Sequence, residues 1–121
     1  MAQGLIEQAF DWIADLYKDR KYAVVSGLTD IGISALAYRE ASKRGWKTVG
    51  VACSKAEQYG CYACDEKHIV GDNWGDESAT FLGMLDAFVR VGGGKQSFTE
   101  TKAAKDKNLT VVEYDLEALL K

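Results

Sequence analysis

Near the start of the chain, Leu5, Ile6, Ala9, Phe10, Ile13, Leu16 and Tyr17 recur at helical spacing, with Glu7, Asp11, Asp15 and Lys18 between them. That stripe predicts an amphipathic helix whose apolar face covers one side of a sheet. The period then changes. Tyr22-Ala23-Val24-Val25-Ser26 reads as a strand, a helix follows to about Arg44, Gly45 stops it, and Trp46 leads into a second strand at 47–52. Strand, helix and strand over roughly thirty residues make a parallel crossover unit. Beyond an irregular stretch at 53–66, the pattern gives a short strand at 67–70, a loop at 71–75 and a helix at 77–85. A strand at 86–91, a helix at 96–107, a strand at 109–113 and a short closing helix carrying Leu116, Leu119 and Leu120 complete it. Alternating strands and helices predict one α/β domain over 1–121, with a parallel five-stranded sheet covered by helices on both faces.

Composition narrows the class. A chain of 121 residues, 47% apolar and 27% charged, has the make-up of a globular domain with a core of its own. The net charge of −3 argues against a nucleic-acid surface, though a small anion needs only local donors. No apolar run approaches the ~20 residues of a membrane span. Met1-Ala2-Gln3-Gly4 lacks the basic start of a signal peptide, and three cysteines suit a reducing compartment, so the expectation is a cytoplasmic protein. None of the patterns calls for a cofactor.

Two glycine-bearing corners stand out. The first, Gly27-Leu28-Thr29-Asp30-Ile31-Gly32-Ile33, joins the first strand to its helix, and Thr29 stands where a dinucleotide fingerprint would have its middle glycine. The second runs Asp86-Ala87-Phe88-Val89-Arg90-Val91-Gly92-Gly93-Gly94-Lys95-Gln96-Ser97-Phe98-Thr99-Glu100. Glycines there let the backbone approach a ligand, and the following helix start suits phosphate or carboxylate. Candidate ligand-binding residues are therefore Gly27, Thr29, Gly32, Gly92, Gly93, Gly94, Lys95, Gln96, Ser97 and Glu100. The same corners also suit a fold in which glycine only saves space and Ser97 or Gln96 caps the helix. Both corners follow strands, so both are expected on the C-terminal rim of the sheet, where open α/β sheets bind ligands.

Other chemistry is weaker. Cys53, Cys61, Cys64 and His68 form C-x7-C-x2-C-x3-H, a donor set that zinc accepts but without the paired spacing of zinc fingers. Small packing residues and one surface histidine are the better reading of it. Asp72, Asp76, Glu77 and Glu100 flank the glycine rim and offer a general base or a ribose ligand, while Asp76 reads best as an acid favouring a helix start.

The second corner resembles the DAFIALPGGxGTxxE segment of the LOG-like family, Rossmann-like nucleotide binders of the SLOG superfamily once labelled lysine decarboxylases. The first corner resembles that family's GGGxxGLM motif. The resemblance spans about residues 20–115 and implies a Rossmann-like domain. The family's enzymes split the N-glycosidic bond of nucleoside 5′-monophosphates. By resemblance Gly93, Gly94 and Ser97 would hold phosphate, and Glu100 would match the motif glutamate as the candidate catalytic residue. Gly92 stands in place of the family's proline, Gln96 of its third glycine and Ser97 of its threonine. The family arginine, nine residues before the motif aspartate, is replaced by Glu77, and a carboxylate cannot take over an arginine's grip on phosphate. The expected function is binding of a small nucleotide-type ligand, as a sensor or sequestering protein with little or no catalysis. A LOG-like phosphoribohydrolase and a purely structural oligomeric α/β protein are the alternatives. Surplus apolar positions on the opening helix and at Phe81, Met84, Leu85 and Phe88, with the family's habit of pairing, imply a homodimer or larger.

Overall fold

The structure, a computed structural model, describes residues 2–92 and 95–114, with the backbone alone at 95, 96 and 114. The closing helix at 116–120 expected from the sequence lies outside these residues. In order, the elements are α1 (Ala2–Leu16), β1 (Ala23–Ser26), α2 (Gly32–Lys43), β2 (Lys47–Ala52), a 3-10 turn (Ser54–Gln58), β3 (Glu66–Ile69), α3 (Ser78–Gly83), β4 (Ala87–Val91), α4 (Lys95–Asp106) and β5 (Thr110–Tyr114). Among the described residues, no helix is long and apolar enough to cross a membrane.

Every pairing between the described strands is parallel. β1 pairs with β2 and β2 with β3, in a register that sets Val25 beside Val49 and Val51 beside His68. β4 pairs with β5, setting Val89 beside Val112. The sequence led us to expect a single sheet of five strands; the described residues instead form one ladder of three and one of two. No ladder joins β1 to β4, and a cleft of about 330 Å³ touching Val24, Val25, Phe88 and Val89 lies there. The reason for the difference is physical. Apolar periodicity marks a segment as a buried strand but carries no information about which backbone edges join.

The two faces of β4 meet different helices, as alternation along a strand requires. Val91 and Val89 pack with Ile6, Ala9 and Phe10 of α1 and Ala41 of α2, while Phe88 packs with Leu82 of α3 and Ala104 of α4. α1 is fastened to α2 by Arg44. Its Nε donates to the buried Glu40 at 2.6 Å, its Nη2 donates to Asp11 at 2.7 Å, and its guanidinium lies over Phe10 and Trp46. Gln3 donates to the other Glu40 oxygen, so the buried carboxylate is met on both sides.

Candidate functional site

Each glycine corner is shaped by what surrounds it. After Ser26 and Gly27 the chain buries Leu28, which is 1% exposed and left-handed at φ 74°. Its N–H donates to Tyr38 Oη at 2.9 Å, and Tyr38 donates onward to the Val49 carbonyl at 3.0 Å. Burial pushes the Tyr38 hydroxyl pKa far upward, so it stays protonated and serves as both donor and acceptor. Gly50 of β2 makes room for Leu28, since a Cβ there would lie 2.6 Å from Leu28 Cδ1 and 3.1 Å from its Cα. Gly27 differs: a Cβ would meet only Ser34 Oγ, at 3.7 Å, and its φ is not left-handed. Crowding within the fold does not demand glycine at 27. Beside it, Ser26 Oγ and Ser34 Oγ share a hydrogen bond of 2.8 Å.

The second corner begins at Gly92, where φ of 65° does favour glycine. Arg90, 5% exposed, reaches from β4 to hold it: Nη1 donates to the Gly92 carbonyl at 2.8 Å. Its Nη2 donates to Glu113 of β5 at 3.3 Å, and its guanidinium stacks 4.3 Å from the Phe98 ring centre. The Lys105 ammonium, then Arg90, hold the Glu113 carboxyl below the usual carboxylate range. Glu100 Oε2 accepts from Ser78 Oγ at 2.8 Å, linking α4 to α3, and the buried Glu77 accepts from the Gly75 N–H at 3.1 Å.

Between the corners lies a cleft of about 290 Å³, lined by Ser26, Gly27 and Ser34 on one side and by Arg90, Gly92, Ser97 and Glu100 on the other, with Glu77. Of the candidate residues, Gly27, Gly92, Ser97 and Glu100 thus share one cleft. Thr29 and Gly32 are not among its lining residues. Burial of Leu28 carries the chain away, and Thr29 instead forms an isolated antiparallel bridge with Cys61. Gly93 and Gly94 lie outside the described residues, as do the side chains of Lys95 and Gln96. Ser26, Ser34 and Arg90 were not singled out from sequence. A lone arginine inside the apolar run Phe88-Val89-Arg90-Val91 is the signal that could have found the last of them. Asp76, expected to favour a helix start, lies two residues before α3 and accepts from the backbone N–H groups of Asp72 and Asn73.

The Cys53, Cys61, Cys64 and His68 set does not assemble. Among the described residues no group of three or more His, Cys, Asp and Glu could hold a metal ion. Cys53 is buried, Cys61 is exposed, and His68 Nε2 lies 2.9 Å from Glu66. Glu66 also accepts from Lys47 Nζ at 2.8 Å, and chiefly through that contact its pKa falls from 4.5 to about 2. A lowered carboxylate pKa favours the fold above the ordinary value of 4.5, and that contribution is lost as pH falls toward about 2. Lys47→Met should bring the Glu66 midpoint back toward its ordinary value, as a carboxyl-carbon NMR titration would record.

Chemically, the cleft combines serine hydroxyls and a buried guanidinium with two carboxylates. A bare polyanion would meet repulsion from Glu77 and Glu100, whereas a ligand with one anionic group and several hydroxyls finds partners for both. Comparison with protein-family models, curated proteins and solved structures returned no match to this chain.

Proposed function

We propose that the chain binds a nucleoside monophosphate or similar sugar phosphate in the cleft between the Gly27 and Gly92 corners. The observation that carries this is Gly27 itself. It is a glycine that the fold has room to replace, facing hydroxyls and a cleft that holds both cation and carboxylates. In this reading the phosphate approaches Gly27 and the start of α4, while Glu100 and Glu77 accept from sugar hydroxyls. The five strands then belong to one Rossmann-like order, β3-β2-β1-β4-β5, with the ligand at the point where strand order reverses. Val24 of β1 and Val89 and Val91 of β4 packing in one apolar cluster supports that neighbourhood.

Binding with little or no catalysis fits better than N-glycosidic hydrolysis of the LOG-like kind. Glu77, at the position of that family's arginine, lines the cleft and brings the opposite charge. A panel of nucleoside mono-, di- and cyclic phosphates and ribose 5-phosphate tests the reading by thermal shift, with base release followed in parallel. A monophosphate at one hundred times its Kd should add about 2.7 kcal/mol of apparent stability, with no base released. No shift across the panel at millimolar concentration would remove the proposal; rapid base release would favour the hydrolase.

Self-association belongs to the same proposal. Trp12 and Leu16 of α1 are 46% and 52% exposed, an apolar end that a second copy would cover. Light scattering at micromolar concentration should return a mass above the 13.3 kDa of one chain; a monomeric mass would count against pairing.

A further inference from the structure

The loops that follow β1, β2 and β3 are knitted together at the same strand ends as the cleft. Ser54 N donates to the Gly71 carbonyl at 2.9 Å and Ser54 Oγ donates to Asp72, which joins the loop after β2 to the loop after β3. Asp30 N donates to the Gly60 carbonyl at 2.6 Å and Tyr62 N donates to the Leu28 carbonyl at 2.8 Å, which joins the loop after β2 to the first glycine corner. On this knitted rim stand Tyr59 and Trp74, 53% and 51% exposed, their ring centres 6.1 Å apart and their planes tilted by 48°.

Two large aromatic rings, one from each loop, meet in solvent and leave about half their surface uncovered. Aromatic side chains usually bury that area, and a planar heteroaromatic ring recovers it by stacking. Tyr59 is the chain neighbour of Gly60, so its ring is one residue from the contact that holds Asp30 of the first corner. From this placement we infer that Tyr59 and Trp74 form a stacking platform for the base of a nucleotide whose sugar phosphate occupies the cleft. The inference rests on the proposed binding site and adds which part of the ligand contacts this rim. It makes the two residues determinants of base recognition, with no part in holding phosphate.

Calorimetry with two probes, adenosine 5′-monophosphate and ribose 5-phosphate, separates the claims. Trp74→Ala and Tyr59→Ala should each weaken the nucleotide about tenfold, within the range measured for base stacking, and leave ribose 5-phosphate unchanged. Both side chains are more than half exposed, so melting temperatures should match wild type. Emission from Trp74, isolated in a variant with Trp12 and Trp46 replaced by phenylalanine, should change on adding the nucleotide and stay constant with ribose 5-phosphate. Unchanged nucleotide affinity in both variants would overturn the platform and leave the cleft standing, as would equal losses for the two probes. If wild type bound neither probe, the cleft and the platform would fall together.

Discussion

Gly27→Ala is expected to weaken nucleoside-monophosphate binding by at least tenfold while the protein melts at the same temperature or slightly higher. The two halves of this expectation have separate causes. In the empty protein an added methyl group meets only Ser34 Oγ at 3.7 Å, an ordinary contact, and the backbone is not left-handed. Alanine there restricts the unfolded chain, a gain of about 0.4–1 kcal/mol. In the complex the same methyl group occupies the space through which a phosphate oxygen would approach the backbone. Tenfold corresponds to about 1.4 kcal/mol, a modest demand for one displaced hydrogen bond to a charged group. Gly92→Ala is the contrasting control, because φ of 65° makes alanine strained there and stability should fall. Calorimetry and thermal melts on the two variants check the pair. Unchanged affinity in Gly27→Ala would mean that the glycine is incidental.

Gly50→Ala should act through the fold instead. Its Cβ would press on Leu28 at 2.6 Å from Cδ1, 2.9 Å from Cβ and 3.1 Å from Cα, so the backbone of the first corner must move as well as the side chain. Overpacking of this kind costs about 1–3 kcal/mol, visible as a lower denaturant midpoint. Leu28 also donates to Tyr38, so displacement strains a buried hydrogen-bond chain and carries Gly27 with it. Ligand affinity should therefore drop along with stability, whereas in Gly27→Ala affinity falls alone. Gly50→Ala melting like wild type would mean that Leu28 is not clamped by β2.

How much of this was legible in the sequence depends on what each residue encodes. The run 47–52 is the observed β2, because Val49-Gly50-Val51-Ala52, entered from the helix stop at Gly45 and ended by the irregular segment, leaves few other readings. The stripe on α1 buries Ile6, Ala9 and Phe10, three of its own members. Sheet continuity was not legible, since Val24 and Val89 announce burial but not whether their backbones pair. That Gly27, Gly92, Ser97 and Glu100 line one cleft could be read because a strand, a glycine and a helix fix where the turn points. Thr29 and Gly32 could not, because Leu28 has to be buried in three dimensions before the chain is seen to leave the cleft. Cys53 and Cys61 are joined by a spacing that resembles a ligand set, yet Cys53 is buried directly after the buried end of β2 while Cys61 lies exposed beyond the 3-10 turn.

The central claim is that the two glycine corners share one ligand. A titration of ¹⁵N-labelled protein with adenosine 5′-monophosphate, followed amide by amide, tests it most directly. The largest shifts are expected together at Gly27, Ser34, Gly92 and Ser97, saturating along one binding curve. Shifts at only one corner, or confined to the α1 face around Ile13 and Tyr17, would contradict it.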